Sequence, residues 1–218
     1  YENLYGFNIS DAISSKLNGP AEFLIRFIND VSAFAVGEAI VGKASAYSRS
    51  MSVTLGTGLG SAFISNRIPV VEGPEVPRFG CVYHLPYKKG IVDDYFSTRW
   101  LVGRYKELTG KSLSGVKELY GLASKDERIH DLFNELGNDL AFFLAPWLKK
   151  FDAEILVVGG KISHAWPLFS STLINRLKNE GCSCKVELSD LKEDAALFGS
   201  AWLLDDEFWK SIQHGPDF

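Results

Sequence analysis

Three short clusters in this chain carry groups that could do chemistry. The first is Gly56-Thr57-Gly58-Leu59-Gly60. Glycines at that density let a backbone approach a ligand closely and adopt positive φ. Successive amide N–H groups, joined by the Thr57 hydroxyl, can then cradle phosphate oxygens. A glycine-rich hairpin turn with no ligand accounts for the same residues. The second cluster is Asn29-Asp30, where Asp30 could take a proton from a hydroxyl nucleophile and Asn29 could hydrogen-bond a neighbouring hydroxyl. The competing local reading is a helix cap, with Asp30 where an N-cap belongs. The third is Gly159-Gly160, which either leaves room for a flat adenine or ribose against the backbone or turns a strand into a helix.

These clusters need elements to hold them. Residues 11–18 read as a helix that stops at Asn18-Gly19-Pro20. Phe23 to Ile28 reads as a short apolar strand delivering Asn29-Asp30 at its C-terminal end, where carboxylates of open α/β folds commonly face a cleft. Small and apolar residues at helical spacing from Val31 to Lys43 predict a buried helix. Met51–Leu55 and Ala62–Ser65 predict two strands joined through the glycine turn. Residues 66–92 read as loops and short strands, and helices are expected over 94–109, 114–122 and 126–150. Ile155–Val158 reads as a buried strand ending in Gly159-Gly160. A helix over 164–179, a strand over 185–188 and a helix over 194–204 complete an α/β pattern with a mixed sheet.

The bulk properties narrow the function. With 218 residues, 46% hydrophobic and 23% charged, the chain can bury one large core. A net charge of −4 argues against nucleic-acid binding by this segment, since phosphate contacts need a positive surface. No apolar run approaches the roughly 20 residues of a bilayer-spanning helix. Cys81, Cys182 and Cys184 are too few and too uneven for a disulfide framework, so a reducing cytoplasm is expected. Cys182 and Cys184 read as a loop pair leading into a strand, because structural zinc wants four ligands.

Taken in order, the segments resemble the ROK family of sugar kinases and repressors, within the actin–hexokinase–Hsp70 superfamily. Phe27-Ile28-Asn29-Asp30-Val31-Ser32-Ala33 through Gly37-Glu38 is similar to the family's N-D-A-x-A…G-E stretch. Val53-Thr54-Leu55-Gly56-Thr57-Gly58-Leu59-Gly60 is similar to its second phosphate motif, and Ala195-Ala196-Leu197-Phe198-Gly199-Ser200-Ala201 to its closing helix. The resemblance implies a ribonuclease H-like, actin-like ATPase fold, ATP and Mg²⁺ as cofactors, and a hexose-like sugar as phosphoryl acceptor. Asp30 would be the general base and Asn29 a sugar ligand. Gly56, Thr57, Gly58 and Gly60 would lie on the phosphates, and Gly159 and Gly160 would back the adenosine. The implied layout is the end of an N-terminal lobe over 1–50, an ATPase lobe over 51–204 and a tail over 205–218.

The sugar side departs from the family pattern. Where the family carries G-E-x-G-H, this chain reads Pro77-Arg78-Phe79-Gly80-Cys81, so Arg78 takes the Glu position and Cys81 the His position. Glu75 or His84 would fill those vacancies after a small register shift. Arg78 would suit a substrate bearing a carboxylate or phosphate. Asp93 stands where the family has a third sugar-binding Glu. The family's C-x-C-G-x-x-G-C zinc loop is absent, so no structural zinc is expected. Nothing in residues 1–28 resembles the first phosphate motif, D-x-G-G-T, which is expected ahead of residue 1. The alternative is a sugar-sensing, non-catalytic ROK regulator. A homodimer is implied as well, with the helix around Trp100–Leu108 as a candidate surface.

Overall fold

Met51, Val53 and Leu55 alternate with Ser50, Ser52 and Thr54, a period of two that makes Arg49–Leu55 a strand (β1). It pairs antiparallel with Leu59–Ser65 (β2), Leu55 opposite Leu59, leaving Gly56-Thr57-Gly58 as the bend. The computed structural model describes residues 6–17 and 24–213. In it β2 also pairs antiparallel with the two-residue Ile68–Pro69 (β3). A second two-stranded sheet, Pro86–Tyr87 (β4) with Gly90–Ile91 (β5), lies within the loop region. Ile155–Gly159 (β6) runs parallel to β1 on its other side, and Lys185–Leu188 (β7) runs parallel to β6. The main sheet therefore has the order β3-β2-β1-β6-β7 and is mixed.

Helices cover both faces. Ile9–Lys16 (α1) buries no residue and carries its cap at Asn8; its expected stop at Asn18-Gly19-Pro20 lies outside the described residues. Asp30–Ile40 (α2) packs on one face, where Phe34, Val36 and Ala39 meet Ala62, Ile64, Ile155 and Val157. Beside it lie Asp194–Trp202 (α8) and Asp206–Ile212 (α9), the latter inserting Phe208 into the same core. Residues 206–212 of the expected tail are thus a packed helix. Val92–Tyr95 (α3), Thr98–Thr109 (α4), Val116–Leu122 (α5), Glu127–Lys150 (α6) and Trp166–Asn179 (α7) are the remaining helices. Leu101 and Tyr105 of α4, Leu132, Leu136, Leu140 and Leu144 of α6, and Phe169 and Leu173 of α7 join Met51, Val53, Leu156 and Val158 on the other face.

Two expectations are corrected. The helix expected over 94–109 is broken at Phe96-Ser97: Ser97 caps α4 by accepting the Trp100 N–H at 3.2 Å, and Phe96 turns into the core. The strand expected at Phe23–Ile28 does not form over its described part, residues 24–28, which take no regular structure. Among the described residues this segment has no ladder partner; Arg26 instead reaches the Leu203 carbonyl oxygen at 2.5 Å and the Asp206 carboxylate at 2.5 Å. Asn29-Asp30 is therefore set by the start of α2 rather than by a strand end. Among the described residues no helix is long and apolar enough to cross a membrane.

α2 and α8 cross at unusually close range because each offers a glycine to the other. A β-carbon on Gly37 would stand 2.7 Å from the Ala195 carbonyl carbon, and one on Gly199 would stand 2.7 Å from that of Ala33. This crossing fixes where the first turn of α2 meets the sheet.

Candidate functional site

The C-terminal ends of the parallel strands β1 and β6 open on one crevice, the place where α/β sheets bind ligands. It has two contiguous halves. One, of about 920 Å³, is lined by Asn29, Asp30, the whole bend from Gly56 to Gly60, Asp93, Phe79, Cys81 and Tyr83. The other, of about 740 Å³, is lined by Gly159, Gly160, Lys161, His164 and the loop Ser189–Asp194. Asp30, Thr54, Gly160, Lys161 and Glu193 border both.

At Asn29-Asp30 the cap is made by the first residue of the pair. Asn29 is the N-cap of α2: its Oδ1 accepts the N–H groups of Val31 at 3.0 Å and Ser32 at 3.2 Å. Asp30 is the first helical residue, exposed at the crevice, and one carboxylate oxygen accepts its neighbour's Val31 N–H at 2.9 Å. The capping task falls to the asparagine, which leaves the aspartate's second oxygen for a ligand.

The bend is held from outside. The Gly56 carbonyl accepts the Thr98 N–H at 2.8 Å and the Thr98 hydroxyl at 2.9 Å, both from the start of α4. Its N–H donates to the Gly58 carbonyl at 2.9 Å, so the Gly56 amide is spent inside the turn. Asp93 lies under the bend and accepts the Leu59 N–H through Oδ1 at 2.8 Å. Among the described residues no hydrogen bond engages the Thr57 hydroxyl or the N–H groups of Thr57 and Gly58. Those three donors are uncommitted at the bend, whereas the Gly56 amide is not. Gly60 carries the close approach of α2, since a β-carbon there would collide with the Val31 side chain and stand 2.6 Å from the Thr54 hydroxyl oxygen of β1.

Gly159 and Gly160 have packing reasons of their own. Gly159 faces the Phe34 ring, and Gly160, at φ +83, would place a β-carbon 2.6 Å from the Leu55 backbone nitrogen. Both also line the crevice. The strand-to-helix turn and the open wall are the same structural fact.

The candidates on the sugar side scatter. Arg78 is exposed and stacks its guanidinium 4.5 Å above the Phe79 ring, and it does not line the crevice. Glu75 pairs with Arg49 at 3.1 Å, at the opposite end of β1 from the bend. His84 packs edge-on against Phe79 and Tyr83, with Nδ1 3.8 Å from the Cys81 sulfur, just behind the wall. None of the three lines the crevice. The wall consists of Phe79, Cys81 and Tyr83; Cys81 is the residue aligned with the family's His, while Phe79 and Tyr83 carried no local signal in the sequence. Phe79 sits at φ 64, a left-handed conformation uncommon for a bulky residue and a mark of local constraint. Burial pushes the Cys81 thiol above its ordinary value, so it faces the crevice as a neutral group.

The chain belongs to the ROK family, whose sequence model matches residues 3–207. It is 25% identical over 161 residues to an N-acetyl-D-glucosamine kinase from Pectobacterium carotovorum, covering 64% of this chain and 52% of that protein. The chain thus spans about half the length of that relative. Its fold is that of a ROK family glucokinase from Streptomyces griseus in complex with glucose and AMPPNP, at a TM-score of 0.73 and 23% identity, covering 89% of this chain and 71% of that one. A ROK family transcriptional regulator, a homologue of the E. coli MLC protein, shares the fold at a TM-score of 0.67 and 16% identity, covering 86% of this chain and 54% of its own.

Proposed function

We propose that this chain carries the catalytic lobe of an ATP-dependent sugar kinase, which transfers the γ-phosphoryl group to a hydroxyl of a hexose-like sugar or sugar derivative with Asp30 as general base. One observation carries the reading: the free oxygen of Asp30 and the uncommitted donors of Thr57 and Gly58 line a single crevice. A phosphoryl group in transit passes through a loose transition state, so positioning and charge neutralisation supply most of the catalysis.

Asp30 accepts the proton as the sugar hydroxyl attacks. Asn29 has committed Oδ1 to the cap, so its Nδ2 is the group that reaches a sugar oxygen. Asp93 holds the bend through Oδ1 and offers Oδ2 to a second hydroxyl. Thr57 and Gly58 donate to the phosphate oxygens. Mg²⁺ would be held chiefly by the phosphate oxygens and, when bound, would neutralise their charge, which leaves the free oxygens of Asp30 and Asp93 to the sugar. Among the described residues no group of three or more His, Cys, Asp or Glu side chains is placed to hold a metal by itself.

On the sugar side, an aromatic and thiol wall replaces the Glu and His of the family pattern. Each lost charge-assisted bond to a hydroxyl weakens binding by ~1.5–3 kcal/mol, tenfold or more. Plain glucose is therefore a poor substrate, and a derivative that puts apolar surface on Phe79 and Tyr83 fits better. The test is Asp30→Asn in the full-length protein. Phosphoryl transfer should vanish while nucleotide binding stays, and turnover at the wild-type rate in that variant ends the proposal. The same vacancy on the sugar side favours, as a second reading, a non-catalytic sugar sensor. A wild-type protein whose melting temperature rises with sugar, yet which transfers no phosphate from Mg-ATP, supports that reading.

A further inference from the structure

α2 serves the crevice at two points. Its first turn presents Asn29 and Asp30; two turns on, Glu38 is wholly buried. A carboxylate in that position is unfavourable unless its oxygens are satisfied. One oxygen accepts the Ser189 hydroxyl and the other accepts the Lys43 N–H at 2.8 Å. The Ser189 oxygen in turn accepts the N–H of Lys192 at 3.0 Å. Lys192 has φ 54, a left-handed conformation that a residue with a side chain holds only where its surroundings over-determine it. The Lys43 ammonium pairs with Asp190 at 2.5 Å, a second tie between the end of α2 and the same loop. That loop, Ser189–Asp194, walls the half of the crevice that also contains Gly159 and Gly160.

We propose that Glu38 is a positioning residue for the nucleotide: acting through the Ser189 hydroxyl, it fixes the loop 189–193 as one wall of the nucleotide site. The inference rests on the kinase reading above, which makes this half of the crevice the nucleotide half. The direction of the bonds explains why a carboxylate is needed. Ser189 can accept from Lys192 in a single orientation only because its proton is directed at Glu38. Glutamine fills nearly the same volume but brings a donor. Its amide either opposes the Lys43 N–H or takes the Ser189 oxygen and leaves the serine proton without an acceptor. In the first case the Lys43 N–H loses its acceptor; in the second the Ser189 hydroxyl loses the acceptor that orients it toward Lys192, while the helix and sheet remain.

The experiment measures binding of a non-hydrolysable ATP analogue with Mg²⁺ by calorimetry for the full-length wild type, Glu38→Gln, Ser189→Ala and Ser189→Thr. KM for ATP, KM for sugar and the melting temperature are measured beside it. Nucleotide affinity should fall about tenfold in Glu38→Gln and Ser189→Ala, the scale of one charge-assisted hydrogen bond. KM for ATP should follow, sugar KM and kcat should stay within about twofold, and Ser189→Thr should restore affinity. Nucleotide affinity within twofold of wild type in both variants overturns the inference. So does a loss shared equally by both substrates with a lowered melting temperature, the mark of a purely structural role. If Glu38→Gln does not fold, Ser189→Ala carries the test, since it keeps the carboxylate and its Lys43 bond. A wild type that binds nucleotide but phosphorylates no sugar defeats the kinase reading alone; one that binds no nucleotide defeats both.

Discussion

Replacing Gly58 with alanine drives a new β-carbon into Asp93. That atom would stand 2.7 Å from the carboxylate carbon and 2.9 Å from Oδ2, well inside van der Waals contact. The backbone of Gly58 needs no left-handed conformation, so the collision with the carboxylate is the main effect. Asp93 must swing away, and the Leu59 N–H loses the bond it makes at 2.8 Å. A charge-assisted hydrogen bond contributes ~1.5–3 kcal/mol, which for a domain of this size lowers the melting temperature by about 3–12 °C. Asp93→Ala alone removes the same bond and should be destabilising by a similar amount. The double variant has no carboxylate to collide with, so its loss should match that of Asp93→Ala rather than the sum. The coupling in the cycle is then ~1.5–3 kcal/mol, readable from denaturant or thermal unfolding of the four proteins. Additivity within about 0.5 kcal/mol would show that Asp93 does not hold the bend.

Four further outcomes follow from the same contacts. Gly37→Ala and Gly199→Ala each push α2 away from α8 and should lower the melting temperature by several degrees, overpacking of this kind being destabilising by ~1–3 kcal/mol; unchanged melting would refute the close crossing. Asp93→Asn keeps an oxygen for Leu59 but loses charge toward the crevice, so steady-state kinetics should show sugar KM up about tenfold with KM for ATP unchanged. Glu75→Ala should leave sugar KM untouched and, through its exposed pair with Arg49, change stability by no more than ~1 kcal/mol. Burial pushes the Cys184 thiol up to about 11, so the folded state holds its proton more tightly than the unfolded state. That stabilisation is full below the ordinary thiol value and is lost as pH rises through about 11. Melting curves across this window should decline less in Cys184→Ala than in wild type.

Much of the framework was legible along the chain. The β1–β2 hairpin follows from alternating residues around three glycines, β6 from a short apolar run, and α6 from its leucine stripe and the cap at Asp126. Failures fell where a distant partner decides. Residues 24–28 are apolar enough for a strand, but a strand exists only where a neighbour offers its hydrogen bonds, and here Arg26 binds the far end of the chain instead. Ser97 could have been read as a helix start, yet its choice over Asp94 depends on Phe96 finding the core. Phe79 and Tyr83 carry no pattern that marks a wall beside Cys81, because their common orientation is set by a loop with Phe79 and Gly80 at φ 64 and 61.

By itself the sequence determined which residue types could act: the Asn29-Asp30 pair, the Gly56–Gly60 turn and Gly159-Gly160, each tied to the local geometry its composition requires. It also determined the family, since three motifs in fixed order are improbable together by chance. Only the tertiary structure decided which of those groups are free. Asn29 rather than Asp30 caps α2, the Gly56 amide is consumed within its own turn, and Glu75 belongs to the opposite end of β1. The physical reason is that every donor and acceptor can be committed elsewhere, to a neighbour two or three residues on, as at Asn29 and Gly56, or to a segment more than a hundred residues away, as between Glu38 and Ser189.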